Sequence, residues 1–415
     1  MDAFFTPNDP AVSAMGDAAR IQQAIELAVS DGCRQVVIPR YNAHKNRSFW
    51  ELDEAILMPD DFTVILDNAY LILADGARCN MFRNAHMYTE KAECQQHGIR
   101  IIGRGDTVLD GGRSNGICQA NHGKYGLPDI RCNNLILFHN VRDFEVRNIE
   151  VRNQRWWALN FIFCCYGIIS DIHSYADGKL QNQDGINLRL GCHHIDISRI
   201  TGVSGDDLIA LTAICRSDLA FRPGNAELDI HDVTIRDVLG TSFRQAVVAL
   251  RAEDEANVYN VSIENVIESN GGDLNNMPYT VLRVGQNKYF DRHVAVCRNI
   301  TVKNLRSRRG FGISLGGVLE DSSFESIYAY GGDRLITTLD ANTPDGGITM
   351  KNVIFRDLRA SRFLLGPPVD FSCMLSSDRL ENVRVEGFSY DGPYPGILIR
   401  DTVSHRDITL EGVQV

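Results

Sequence analysis

Three aspartates lie close together in this sequence, in an order and at a spacing that suit acid–base chemistry. Asp184 stands just before a short segment of alternating apolar residues. The adjacent pair Asp206 and Asp207 follows a strand-like run at 195–200. If successive segments of the chain stack as coils, residues one coil apart become neighbours on one face. We therefore expect the three carboxylates to meet on one surface. Gly205, directly before the adjacent pair, would permit a bulge or turn that directs both side chains outward.

Hydrolysis of a glycosidic bond with inversion needs one protonated carboxyl at the leaving oxygen and a second carboxylate that activates water, roughly 6.5 to 9.5 Å apart. The neighbours Asp206 and Asp207 raise each other's pKa, which keeps one of them protonated closer to neutral pH. Stacked strands lie about 4.8 Å apart, so Asp184 is within reach of the same sugar ring. The alternative is that all three are turn residues, since Asp-Gly is a common turn pair.

A repeated strand pattern would bring these residues together. The segment 140–153 alternates apolar residues, breaks at a polar residue and ends in a second apolar pair. The pattern returns at intervals of roughly 20 to 40 residues, which is typical of stacked repeats. The other copies are 167–175, 192–203, 226–238, 257–269, 297–307, 321–330, 350–360, 378–388 and 405–415. No copy has enough apolar face to fold alone, so the copies must share one core.

The pattern predicts an all-β chain that forms a parallel β-helix, because no helical period extends beyond Arg34. One α-helix is predicted at 17–29, with Asp17 as its N-cap and Gly32 as its stop, and it would cap the N-terminal end of the coil. The Asn residues that recur at the breaks are predicted to be turn residues that bond their own backbone.

We expect a single β-helix domain over residues 1–415, with loop insertions at 113–131 and 271–293 near the cleft. The 42 basic and 53 acidic side chains give a net charge of −11, which argues against binding to nucleic acid. The N-terminus lacks a secretory signal and no apolar run is long enough to span a bilayer, so we expect a cytoplasmic protein that is not bound to a membrane, unless a signal has been removed. The eleven cysteines suit reduced thiols, and the oligomeric state stays open.

A family resemblance rests on three motifs in order: NVRDFEVRNIEVRNQRWW (140–157), NQDGINL (182–188) and SGDDLIAL (204–211). They resemble glycoside hydrolase family 28, the polygalacturonase-like enzymes of the pectin-lyase-type β-helix superfamily. The resemblance implies a right-handed parallel β-helix. It also implies hydrolysis of a cell wall polysaccharide such as pectin, with inversion at the anomeric carbon. It implies that Asp206 is the general acid, while Asp184 and Asp207 position and activate water.

The same resemblance suggests substrate-binding residues. Asn182 would orient Asp184 or bind substrate. The family's Gly-His-Gly is absent after the aspartate pair, and the family's Arg-Ile-Lys is matched only in part, around residue 283. The candidates that replace or match these groups, together with aromatic residues that would stack on sugar, are Arg244, Gln245, Arg251, Arg283, Lys288, Trp157 and Tyr289. These departures leave open a different uronide or a neutral sugar.

We predict an inverting glycoside hydrolase that acts on α-linked uronide or related oligosaccharides, and we expect exo action because an unexported enzyme meets only short imported chains. Three alternatives are a β-helix polysaccharide lyase, a transferase that forms an intramolecular anhydride, and a non-catalytic carbohydrate-binding β-helix. No group of His, Cys, Asp and Glu has metal-ligand spacing in the sequence, so we predict no catalytic metal and no cofactor.

Overall fold

A computed structural model divides the chain into two compact units. Unit 1 comprises Met1–Gly205 and Ser217–Ala226, and unit 2 comprises Asp206–Arg216 and Glu227–Val415. The structure describes residues 5–113, 115–116, 130–215, 219–253, 255–269, 280–285, 295–308, 311–330, 334–338, 348–361, 369–370, 379–392, 399–400 and 408–411. The prediction of one domain over 1–415 stays a prediction.

Unit 1 begins with the helix α1 (Asp17–Ser30) and continues in short strands. In chain order these are β1 (Gln35–Pro39), β2 (Trp50–Leu52), β3 (Ile56–Met58), β4 (Thr63–Asp67), β5 (Tyr70–Leu73), β6 (Phe82–Asn84), β7 (Gln96–Arg104), β8 (Val108–Asp110), β9 (Ile136–His139), β10 (Val141–Arg152), β11 (Leu159–Ile162), β12 (Cys165–Tyr175), β13 (Ile186–Leu188) and β14 (His193–Ser204). Short 3-10 helices lie at Ile130–Asn133 and Leu219–Phe221.

The strands of unit 1 form two parallel sheets. The first sheet runs β1-β4-β7-β10-β12-β14, with β2, β5 and β8 joined to it through β10, and the second runs β13-β11-β9-β6-β3. Matching positions of successive coils align: Val146 lies opposite Ile169, which lies opposite Ile197, and all three are fully buried. The apolar alternation of each repeat therefore forms continuous rows inside the coil.

Unit 2 has the same construction. Its strands are β15 (Ile209–Ala213), β16 (Ile230–Ser242), β17 (Ala246–Ala252), β18 (Val258–Glu268), β19 (Thr280–Val284), β20 (Val296–Ser307), β21 (Phe311–Leu315), β22 (Gly317–Tyr330), β23 (Ile336–Thr338), β24 (Ile348–Ser361), β25 (Val369–Asp370), β26 (Arg379–Asp391), β27 (Ile399–Arg400) and β28 (Ile408–Glu411). Its first sheet runs β16-β18-β20-β22-β24-β26-β28 and its second runs β27-β25-β23-β21-β19-β17-β15. The predicted all-β parallel β-helix with an N-terminal helix is thus confirmed.

Helix α1 packs against β1, β2 and β3, at the start of the coil as predicted. The predicted N-cap is wrong: Gly16 is the N-cap, and Asp17 instead accepts a hydrogen bond from the Glu51 amide at 2.8 Å and pairs with Arg47 at 2.6 Å. The buried carboxylate of Asp17 therefore joins the helix to β2. Gly32 ends the helix with φ 78°, as predicted. Among the residues that the structure describes, no helix is long and apolar enough to cross a membrane.

The asparagines at the breaks do not bond their own backbone as predicted. Many adopt the left-handed conformation, with φ between 51° and 58° at Asn260, Asn265, Asn299 and Asn304. Their amides bond to the matching residue one coil away; Asn299 Nδ2, for example, donates to Asn260 Oδ1 at 2.7 Å. The break residues therefore form ladders along the coil, as well as turning the chain.

The two predicted loop insertions fall mostly outside the described residues. The short 3-10 helix Ile130–Asn133 begins inside the first insertion. Strand β19 (Thr280–Val284) lies inside the second. The chain at Arg283 is therefore part of the second sheet of unit 2, and the structure can place that side chain.

Candidate active site

In unit 1, Asp184 lies two positions before β13, which begins at Ile186. Its side chain is buried, and its Oδ2 accepts a hydrogen bond from Asn187 Nδ2 at 3.2 Å. Asn187 belongs to β13, so the rigid sheet sets the direction of this carboxylate.

The backbone around Asp184 is held from three directions. The Asp184 carbonyl accepts from the Ala158 amide at 3.0 Å and from Gln154 Nε2 at 3.4 Å. The Gln183 side chain donates in return to the Gln154 carbonyl at 3.0 Å. The Gly205 amide donates to the Gln183 carbonyl at 2.9 Å. Three residues, Ala158, Gln154 and Gly205, thus hold the turn that carries Asp184.

Gly205 has a different role from the one the sequence suggested. We expected Gly205 to permit a bulge that turns both aspartates of the pair outward, but its φ is not in the left-handed region. A Cβ atom at this position would instead lie 2.7 Å from Gln183 Cβ. The glycine is required because the Gln183 side chain lies directly against it.

In unit 2, Asp206 and Asp207 lie in a bend before β15, which begins at Ile209. Because neither residue is in a strand, the rule that neighbouring side chains point to opposite faces does not apply. Ser242 Oγ donates to the Asp206 carbonyl at 2.6 Å, and the same oxygen accepts from the amides of Arg244 and Gln245 at 3.2 and 3.0 Å. Ser242 thereby joins the bend to the turn before β17.

Asp207 is buried and Asp206 is half-buried. Burial, followed by the charge of Asp206, raises the pKa of Asp207 from 3.8 to about 6. Arg251 and Arg283 and a hydrogen bond from the Ala246 amide act in the opposite direction. The Ala246 amide lies 3.0 Å from Asp207 Oδ1. The adjacent pair therefore holds a proton at a pH where two separate aspartates would both be ionised.

The predicted basic residues of unit 2 occupy the second sheet beside this bend. Arg283 pairs in register with Ala249 of β17, and its Nη1 donates to Gln245 Oε1 at 3.1 Å. Arg251 pairs in register with Thr212 of β15. Together with Asp207 these side chains form one polar group, which we call the Asp207 cluster: Asp206, Asp207, Gln245, Arg251 and Arg283. Arg244 is half-buried in the turn that Ser242 holds.

Other predicted site residues have different surroundings. Asn182 is half-buried in a left-handed turn with φ 57°, and the side-chain amide that bonds to the Asp184 carboxylate is that of Asn187. Trp157 is 3% exposed, and the Arg189 guanidinium lies over its ring at 4.7 Å, so its described contacts are those of packing. Lys288 and Tyr289 lie outside the described residues. Stacking of aromatic rings on sugar stays a prediction.

The structure adds two positioning residues that sequence reasoning missed, Asn187 and Ser242. Asn187 is the one polar residue of Ile186–Leu188, between two apolar residues, and this was an available signal. Ser242 had no comparable signal, because its contacts are with a carbonyl 36 residues away and with local amides.

A further titratable group in unit 2 centres on His231. Its Nδ1 lies 2.6 Å from Asp232 Oδ2 and its Nε2 lies 3.0 Å from Glu227 Oε1. Burial opposes a charged ring, but the two carboxylates raise the pKa of His231 above its usual value.

The prediction that catalysis needs no metal stays a prediction.

The fold and the buried carboxylates just before its strands define the class of this protein. It is a parallel β-helix that carries acid–base groups. Comparison with known proteins narrows it. Residues 84–217, which include all three aspartates, match the model of glycosyl hydrolases family 28. No curated protein matches the chain in sequence.

Solved structures share the fold at low sequence identity. The family 28 exopolygalacturonase of Yersinia enterocolitica is 12% identical with a TM-score of 0.52, over 100% of this chain and 79% of its own. The hyperthermoactive exopolygalacturonase of Thermotoga maritima is 13% identical with a TM-score of 0.52, over 94% of this chain and 88% of its own. A tailspike double mutant of E. coli bacteriophage HK620, solved with a pentasaccharide, is 12% identical with a TM-score of 0.54, over 99% of this chain and 78% of its own.

The match over residues 84–217, on a fold shared with solved family 28 enzymes, confirms the resemblance to family 28 predicted from the motifs.

Proposed function

We propose that this protein hydrolyses α-linked uronide oligosaccharides with inversion at the anomeric carbon. The observation that carries the proposal is the Asp207 cluster, in which a buried aspartate with a raised pKa adjoins a second carboxylate and two arginines. A carboxyl pair that retains a proton supplies the general acid, and arginines pair with the planar carboxylate of a uronide through two parallel hydrogen bonds.

The roles follow from exposure and hydrogen bonding. Asp206, which is less buried than Asp207, delivers the shared proton to the leaving oxygen. Asp184, whose carboxylate accepts a bond from Asn187, activates the attacking water together with Asp207. Asp184 in unit 1 and Asp207 in unit 2 each stand two positions before a strand of the second sheet of their unit.

The proposed substrate specificity rests on Arg283 and Arg251. Arg283 is only half-buried, and its neighbour Gln245 is exposed, so a ligand can reach this part of the cluster. These groups replace the histidine and lysine that the family motifs lead one to expect.

We also propose exo action on short chains. Two solved structures of the same fold are exopolygalacturonases, which supports the exo mode. Digestion of a uronide hexamer tests this point. Exo action releases only the terminal product at early times, whereas random internal cleavage would produce trimers and tetramers from the start and contradict it.

The main experiment incubates the enzyme with α-linked uronide oligosaccharides and their carboxyl-reduced counterparts, and follows the product anomers by proton NMR. We expect inverted products. Replacement of Asp184, Asp206 or Asp207 by Asn lowers kcat by at least about 100-fold, the scale of lost general acid or base catalysis. Asp106→Asn, at an exposed aspartate of unit 1, is the matched control and keeps full activity.

Arg283→Gln separates substrate choice from chemistry. It raises KM for the uronide about tenfold, the worth of a charge-assisted hydrogen bond, and leaves KM for the carboxyl-reduced substrate unchanged. Retained anomeric configuration contradicts inversion. Unsaturated products that absorb ultraviolet light would identify a lyase, and a product lighter by one water would identify an anhydride-forming transferase.

A further inference from the structure

A row of side chains with unusual composition crosses the outer face of the first sheet of unit 2. Leu239, Ile267, Arg306, Tyr328 and Arg359 are register partners in the successive strands β16, β18, β20, β22 and β24. Each step along the row is about 4.8 Å, the distance between paired strands. The row thus passes from two aliphatic residues to an aromatic ring with an arginine on either side.

The row is accessible. Leu239 is 47% exposed, and both arginines are exposed. Tyr328 is half-buried, with its hydroxyl 3.4 Å from Ser361 Oγ. Around Tyr328 and the arginines lies an open cavity of about 620 Å³. That volume is within the range of small-molecule and saccharide sites in proteins.

The charges in this cavity are not balanced within the protein. Asp357 accepts from Arg359 Nε at 2.9 Å and from Ser326 Oγ at 3.0 Å, so it holds the Arg359 side chain in place. Within the described part of the chain, Arg306 has no carboxylate partner. One net positive charge therefore lies beside the tyrosine ring, in a protein whose net charge is −11.

We propose that this row is a second, non-catalytic binding site for an acidic oligosaccharide. A sugar ring stacks on Tyr328, because an aromatic ring offers apolar area beside a polar edge. Carboxylates of the flanking sugars pair with Arg306 and Arg359, which two strand steps place about 10 Å apart. The saccharide chain then runs along the coil axis, with Ile267 and Leu239 extending the apolar side of the site.

This site lies on the first sheet of unit 2, whereas Arg251 and Arg283 belong to its second sheet. It binds an acidic oligosaccharide separately from the Asp207 cluster. The inference rests on the proposed function for the class of saccharide, an acidic one, but not for the position or residues of the site.

The test uses Asp206→Asn, which stops turnover, and α-1,4-linked trigalacturonate as the probe in isothermal titration calorimetry. We expect two binding steps. Adding Arg306→Gln or Arg359→Gln weakens one step by about tenfold, the worth of a charge-assisted hydrogen bond, and leaves the other unchanged. Tyr328→Ala has the same effect, whereas Tyr328→Phe, which keeps the ring, does not.

Arg384→Gln is the matched control, because Arg384 is exposed on β26 of the same sheet but outside the row. The carboxyl-reduced trisaccharide should lose the step that depends on the arginines. An isotherm that Arg306→Gln, Arg359→Gln and Tyr328→Ala all leave unchanged overturns the site.

Hydrolysis of the same trisaccharide by the wild-type enzyme is measured in parallel. If hydrolysis occurs and the arginine variants bind normally, this inference fails and the proposed function stands. If the arginine-dependent step is present but the trisaccharide is not cleaved, the second site stands and the proposed function fails. Thermal midpoints of all variants that match that of the wild type show that each difference arises from the site.

Discussion

Burial and a neighbouring like charge act in the same direction on Asp207, and this gives the residue a measurable effect on stability. The folded protein raises the pKa of Asp207 from 3.8 to about 6, so between about pH 4 and pH 6 the folded state holds a proton that the unfolded state has lost. Stability from this residue therefore falls as the pH rises through that window. The size is at most about 3 kcal/mol, from a pKa change of about 2 units at 1.36 kcal/mol each.

Asp207→Asn removes this titration and keeps an oxygen that can accept from the Ala246 amide. Relative to the wild type, its midpoint of urea unfolding should rise between about pH 4 and pH 6 and then level off, so that the variant gains relative stability towards neutral pH. Asp106→Asn should follow the wild type at every pH. A constant difference between Asp207→Asn and the wild type would show that the buried carboxyl does not hold the proton.

At this scale the sequence singles out the three aspartates but not the residues that hold them. Motif order and coil spacing point to Asp184, Asp206 and Asp207, and their catalytic roles stay a prediction. Gly205 was found for the wrong physical reason, since its need arises from the side chain of Gln183 and not from its own backbone angles. A contact between side chains distant in sequence has no local signal.

At the scale of the element, the strands follow from the apolar alternation and their lengths do not. The copy at 140–153 became β10 (Val141–Arg152) within a residue at each end, because its alternation is long and its ends are polar. The helix was predicted to within a residue of its ends, but its N-cap was not, because Arg47 and the Glu51 amide compete for Asp17. Tertiary partners overrode the local preference for an aspartate cap.

The asparagine ladder also shows that contacts between coils cannot be predicted from the local sequence. The recurrence of Asn was visible in the sequence, yet its use between coils depends on register, which only the paired strands define. Asn299 combines both roles: its φ is 51°, and its amide donates to Asn260 at 2.7 Å. The coils that carry β18 and β20 are thereby tied together at a solvent-exposed position.

Two substitutions at Asn299 separate these roles. Asn299→Gly loses the hydrogen bond and keeps the left-handed backbone, at a cost of about 1 kcal/mol. Asn299→Ala loses both and should cost about 1 to 2 kcal/mol more, because a Cβ penalises this conformation. Lys303→Ala, at an exposed strand position of β20, is the control and should change stability little. Midpoints of urea unfolding give the comparison; equal midpoints for the Gly and Ala variants would contradict a backbone role.

At the scale of the whole molecule, the repeats of this sequence predict one continuous core over residues 1–415, since no copy can bury its apolar face alone. A chain with one shared core unfolds in one cooperative transition, whereas separate domains unfold at their own midpoints. The distribution of tryptophan makes this testable, because the three tryptophans, Trp50, Trp156 and Trp157, all belong to unit 1.

Tryptophan fluorescence therefore reports the unfolding of unit 1, while far-ultraviolet circular dichroism reports the strands of both units. We expect the two signals to change at the same urea concentration and with the same slope, because loss of stacking in one coil exposes the apolar face of the next. Tyr330→Trp, at a side chain that is 40% exposed in unit 2, adds a reporter there and should unfold at that same concentration. A fluorescence transition displaced from the circular dichroism transition would show two independent domains, and the prediction of a single β-helix domain would then be wrong.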